Sequence, residues 1–106
     1  VALANLRRVA GANPSVMWNT FMNRWVMVYA SWQKSVYMSF SDDALAWERP
    51  VKILGDGATA WYPNLIGADG DLTGGEFVKL YWSHAQNDLG QRDLAYCWIK
   101  FKKQIQ

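Results

Sequence analysis

The chain has 106 residues, of which 51% are apolar and 19% charged, with a formal net charge of +2. That composition excludes a disordered chain and is long enough for one compact domain but not for two ordinary ones. Seven Trp, five Tyr and four Phe form a heavy aromatic load, suited to crowded β-cores and to sugar-binding surfaces, because Trp and Tyr join a large apolar body to a polar edge.

In chain order, Ala4 to Gly11 (ANLRRVAG) reads as one short orphan strand over residues 4–10. Ser15–Trp18 is a strand after Asn13-Pro14. Trp25–Ala30 follows the turn-like TFMNR, and Ser35–Phe40 follows SWQK. A weaker strand, Val51–Leu54, comes after SDDALAWERP. The order then begins again with Pro63–Gly67, Phe77–Ser83 after the Gly- and Asp-rich ADGDLTGGE, and Asp93–Phe101 after HAQNDLGQR. No segment sustains helical apolar spacing, and β-branched and aromatic residues dominate the periodic stretches. Pro14 and Pro63 sit at matching strand starts, where a missing N–H costs least, and each favours an extended residue before it.

RWVMVYA (Arg24–Ala30) and EFVKLYWS (Glu76–Ser83) are the same phrase in different letters. The two copies are offset by 49 residues at the prolines and 52 at the second strands, the extra residues lying in ADGDLTGGE. A period of about 40–50 residues with four strands per unit is the pattern of propeller blades. The expected fold is all-β: two propeller-like blades, each an antiparallel four-stranded sheet. The first blade spans residues 11–57 and the second 58–106, with 4–10 as a strand of a neighbouring blade.

The string from Asn13 to Leu54, followed by WYPNLIG, LYWS and RDLAYCWIKF, resembles the C-terminal blades of five-bladed propellers. These belong to glycoside-hydrolase-like proteins related to families 43, 32 and 117. SFSDDALAW is similar to the Asp-box of sialidase-type propellers, S-x-D-x-G-x-x-W, with Asp42 at the Asp position and Trp47 at the Trp. It departs from that pattern at Ala44, where Gly is expected, and at Phe40, where Ser is expected. The resemblance implies an Asp42 side chain accepting backbone N–H groups while Trp47 packs between blades.

Hydrolysis of a glycoside needs two carboxylates facing one pocket. The innermost strands should be Ser15–Trp18 and Pro63–Gly67, whose polar residues Asn13, Ser15, Asn19, Tyr62 and Asn64 include no acid. The resemblance implies that catalytic carboxylates belong to earlier blades, so no catalytic residue is assigned and these residues are not expected to act as an enzyme alone. Asp69-Gly70-Asp71 fails the EF-hand spacing, since Leu80 stands where the bidentate Glu belongs, and reads as a hairpin or crossover loop. His84 reads as a polar loop residue after a strand, and Cys97 as a packed thiol. A lone Cys excludes an internal disulfide, and no metal or cofactor site is expected.

The remaining candidates are sugar-facing: Asn13, Trp61, Tyr62 and Asn64, at the mouth of a tunnel lined by the innermost strands. Trp32 is a further candidate on the same logic, and inter-blade packing is the competing role for Trp61 and Tyr62. The expected function is therefore a non-catalytic, carbohydrate-facing wall of a glycoside-hydrolase-like propeller. The alternative is a structural or interaction protein, a propeller-derived homo-oligomer without sugar binding. Two blades cannot close a ring, so the expectation is either part of a larger propeller or completion by self-association through blade edges. KFKK (Lys100–Lys103) reads as a solvated strand tail, so no nucleic-acid partner is expected. No run of about 18 apolar residues predicts a membrane span. VALANLRRVAG lacks a signal-peptide pattern, and a secreted or periplasmic setting follows only if the parent is a glycosidase.

Overall fold

The computed structural model describes residues 12–32, 34–55, 60–85 and 91–103. Eight strands run through them: β1 (Ala12–Asn19), β2 (Arg24–Ala30), β3 (Val36–Ser41), β4 (Val51–Leu54), β5 (Ala60–Gly67), β6 (Thr73–Gly74), β7 (Phe77–Ala85) and β8 (Arg92–Lys100). The described residues contain no helix, and hence none that could cross a membrane. The protein is all-β. The orphan strand expected at residues 4–10 lies outside the described residues.

β1 to β4 form an antiparallel meander, and β6 joins β1 in parallel to give the order β4-β3-β2-β1-β6; the second sheet has the order β5-β7-β8. The expectation of two four-stranded antiparallel sheets therefore needs amending. The loop ADGDLTGGE does not stay with the second sheet. Gly67 N–H donates to Asp71 O (2.8 Å) and Gly70 N–H to Gly67 O (2.9 Å), closing a turn. This turn sends Thr73 and Gly74 across to Trp18 and Asn19. Asn19, fully buried, fixes the crossing: its Nδ2 donates to Gly75 O at 2.8 Å and its Oδ1 accepts Met22 N–H at 2.8 Å. A Cβ on Gly74 would lie 2.6 Å from Met17 Sδ and 2.9 Å from Val78 Cγ2, so the crossing needs a residue without a side chain.

The prolines are also differently placed. β1 and β5 each run through their Pro rather than starting at it, with register shifts between Ala12 and Ser15 and between Trp61 and Asn64. Asn13 and Tyr62, expected to be extended, instead have φ of 55° and 54°. A bulge inserts one residue and bends the strand, and here that demand overrides the pre-proline preference.

The core lies between the sheets. Met17, Val26, Val28, Val36 and Met38 of the first sheet meet Leu65, Val78, Leu80 and Trp82 of the second, with Ala60 and Phe101. Each such aliphatic side chain contributes about 1.5–3 kcal/mol by leaving water. β1 and β5 pack closely, whereas a cleft of about 650 Å³ opens between Met38, Phe40, Val51 and Ile53 on one side and Ile99 and Phe101 on the other.

The register refines the repeat. Ser15 stands opposite Val28, thirteen residues on, while Asn64 stands opposite Tyr81, seventeen residues on. Counted from the prolines, the second strands are thus offset by 53 residues rather than 52, so Val28 matches Tyr81, and Val26 matches Lys79. The first sheet turns Val26 and Val28 into the core. The second sheet turns Lys79 and Tyr81 away from it, since their alternate neighbours Val78, Leu80 and Trp82 are core residues.

The β3–β4 connection corrects the role given to Asp42. That carboxylate pairs with Arg24 Nε at 2.8 Å. Asp43 does the turn chemistry, its Oδ1 accepting Leu45 N–H (2.8 Å), Ala46 N–H (2.9 Å) and the Ser41 hydroxyl (3.1 Å). Ala44, at the Asp-box Gly position, has φ 63°, the left-handed conformation that makes Gly suitable there.

Replacing Ala44→Gly is expected to raise stability by roughly 0.5–1 kcal/mol, because relief of the left-handed strain outweighs the entropy of Gly. An unchanged or lower urea midpoint would contradict it. The bonds from Ala46 N–H, then Leu45 N–H and Ser41, hold the Asp43 carboxyl below its usual range. A carboxyl depressed in the folded state adds stability above its unfolded pKa, and that stability disappears as pH falls through the folded value. The stability gap between the native chain and Asp43→Asn should therefore be largest near neutrality and shrink from about pH 4 towards pH 2. Urea titrations giving a constant gap would refute this origin.

Candidate functional site

β1 and β5 pack side by side, and their two proline bulges meet. Asn13, Pro14 and Ser15 face Tyr62, Pro63 and Asn64 around a shallow pocket of about 250 Å³. The Ser15 hydroxyl stitches the strands, donating to Asn64 Oδ1 at 3.2 Å and accepting Leu65 N–H at 3.2 Å. Three of the expected sugar-facing residues, Asn13, Tyr62 and Asn64, are thus gathered at one place.

Trp61, the fourth, sits beside the pocket in an aromatic group. Its ring is 6.3 Å from Tyr62 and 6.4 Å from Trp32, the latter edge to face. The β2–β3 turn supplies Trp32: Ser31 N–H bonds to Ser35 O and Lys34 N–H to Ser31 O, both at 2.9 Å. Ala60 N–H then donates to Lys34 O at 2.8 Å, which ties the start of β5 to that turn. Trp32 is 74% exposed and Tyr62 65%, while Trp61 is half-buried between them. The arrangement offers two exposed aromatic faces and the polar groups of Asn13 and Asn64. Such a surface can stack on a ligand's apolar face and hydrogen-bond to its rim.

Tyr62 carries a further signal. A bulky residue at φ 54° is strained, and such strain concentrates at ligand-binding positions.

One carboxylate pair emerges that the spacing of acids in the sequence did not show. Arg24 joins Asp42 to Glu48, whose two oxygens lie 3.1 and 3.0 Å from Arg24 Nη1 and Nη2. Its signal in the sequence was the Arg that opens β2. These bonds, with Glu48 the strongest contributor, raise the Arg24 pKa. Both carboxylates are largely exposed and committed to one guanidinium, so neither has the desolvated setting of a general acid. Among the described residues no three His, Cys, Asp or Glu side chains converge on a metal position.

His84 lies inside β7 and not in a loop, and its buried Nδ1 has no hydrogen-bond partner among the described residues. Cys97 faces the core opposite Leu80, and burial raises its thiol pKa, which suppresses the reactive thiolate. The cleft of about 650 Å³ beside Phe40 and Phe101 shares no lining residue with the β1–β5 pocket.

No protein-family model matches the chain, and neither the curated proteins nor the solved structures contain a match to it. The propeller resemblance therefore stands on the residues quoted above.

Tyr62→Gly is expected to leave the unfolding midpoint unchanged or raise it by up to about 1 kcal/mol of stability, because Gly adopts the bulge conformation without strain. A loss of more than that in chemical denaturation would show that the exposed ring, and not its strain, dominates.

Proposed function

We propose that these residues form a non-catalytic, carbohydrate-facing wall of a β-propeller related to glycoside hydrolases, the two sheets being successive blades. The observation that carries the reading is the meeting of Asn13, Tyr62 and Asn64 in one pocket beside the Trp32–Trp61–Tyr62 aromatic group. Matching bulges at Asn13 and Tyr62, each shifting its strand's register by one residue, support the blade relationship. Strained, exposed Tyr62 supports a ligand role over simple packing. The polar pocket residues include no acid, so the wall binds and orients sugar while any hydrolysis would need carboxylates from elsewhere.

A second reading is favoured by β8. Nine residues long, it pairs with β7 alone among the described residues. An edge of that length can accept a strand from another copy, giving a structural homo-oligomer without sugar binding.

One experiment separates them. Calorimetric titration with a panel of neutral oligosaccharides should give binding that weakens roughly tenfold in Trp32→Ala and in Tyr62→Ala, with near-UV circular dichroism unchanged. Absence of any sugar binding, together with a mass by light scattering that grows with concentration, would transfer the assignment to the second reading.

A further inference from the structure

We propose that the β1–β5 pocket and the aromatic group beside it hold an interior stretch of one soluble, neutral glycan chain, several sugar units long. A single sugar, a chain end and a crystalline polysaccharide surface are the ligands this excludes. The proposal rests on the carbohydrate reading above and names its substrate class. On a regular strand, consecutive side chains point to opposite faces. Trp61 and Tyr62 are consecutive in β5, yet their rings lie 6.3 Å apart in one group. The bulge brings them together: the register shifts between Trp61 and Asn64, and Tyr62 takes φ 54°. Strain at Tyr62 thus has a structural product, the extension of an aromatic row by one ring.

The row continues through Trp32, whose ring is 6.4 Å from that of Trp61. The bond from Ala60 N–H to Lys34 O, at 2.8 Å, holds the turn that carries Trp32 against the start of β5. The three rings are therefore assembled before any ligand arrives, which lowers the ordering cost of binding. At the other end of the row, Tyr62 also lines the pocket with Asn13 and Asn64. Stacking surfaces and hydrogen-bonding groups thus follow one another along one track. Asn64 Oδ1 accepts the Ser15 hydroxyl, which leaves Nδ2 to donate to a sugar oxygen.

The geometry narrows the ligand. A pyranose has the footprint of a single aromatic ring, so a monosaccharide engages one member of the row and a chain engages several in turn. Interplanar angles of 74° between Trp32 and Trp61 and 43° between Trp61 and Tyr62 leave the rings no common plane. A flat crystalline face can touch them only one at a time, whereas a single chain turns at each glycosidic bond and follows the tilt. The pocket, at about 250 Å³, is smaller than sites that enclose a whole ligand, so it does not cap a chain end. None of its lining residues is charged. It therefore offers no counter-charge to a carboxylate or sulfate and suits a neutral chain.

The test titrates the whole chain with cello-, xylo-, malto- and galacturono-oligosaccharides, each series running from the monosaccharide to the hexasaccharide. In at least one neutral series, affinity should rise roughly tenfold between the disaccharide and the tetrasaccharide and then level off. Trp32→Ala should remove that rise and leave disaccharide binding, which the pocket end supplies, within about twofold of the native chain. Tyr62→Ala should weaken every length, because Tyr62 belongs to both the row and the pocket. Both rings are largely exposed, and near-UV circular dichroism checks that each variant folds. Reducing the terminal sugar to its alditol should leave hexasaccharide affinity unchanged, and microcrystalline cellulose should not retain the protein. Several results would each overturn the proposal while leaving the pocket a carbohydrate site. They are equal affinity at all lengths, a Trp32→Ala loss as large for the disaccharide as for the hexasaccharide, loss of binding by the alditol, retention on the crystals, or tighter binding of the galacturonate series than of any neutral one. No binding in any series would overturn the carbohydrate reading and this proposal together.

Discussion

The lateral joint between β1 and β5 governs the rest of the molecule. These two strands belong to different sheets, and the Ser15 hydroxyl, bonded to Asn64 and Leu65, bridges them. Such bonds contribute only about 1 kcal/mol each, far less than the aliphatic layer between the sheets. The joint therefore sets alignment, and the core supplies stability. The joint sets one proline bulge against the other and makes a pocket from two otherwise ordinary irregularities.

From the joint outward, the sheets share an aliphatic interior and differ at their surfaces. β6 closes the far end of the joint by crossing to β1, with the buried Asn19 holding its backbone. On the side away from the joint, the cleft beside Phe40 and Phe101 opens where their rings meet edge to face at 6.2 Å. The second sheet's other face carries aromatic and cationic residues where the repeat would have aliphatic ones. Two copies of one strand pattern thus carry different side chains at matching positions.

Local backbone strain marks the places where the chain is asked for something unusual. Asn13, Ala44 and Tyr62 all have positive φ without being Gly. At Asn13 the side chain tolerates the conformation well. At Ala44 the turn imposes it, and Asp43 and Ser41 hold that turn with side-chain bonds to the backbone. At Tyr62 the bulge imposes it on a large exposed ring that lines the pocket.

Alternating apolar residues made β2, β3, β7 and β8 legible in the sequence, and matching prolines marked β1 and β5 as equivalent. The all-β class followed from that alternation, and the matching prolines pointed to Asn13, Tyr62 and Asn64, which the structure brings to one pocket. What the letters did not disclose were features set by contacts distant in the chain. The parallel crossing of Thr73–Gly74 depends on Asn19, over fifty residues earlier. The exchange of Asp42 for Asp43 depends on Arg24 claiming the former. The one-residue shift of the second strands decides which face each sheet buries, because side chains alternate and a single step reverses them. Local pattern determined that this chain forms strands and where it turns; packing of one sheet on the other decided which aromatic residues lie in the core and which meet solvent.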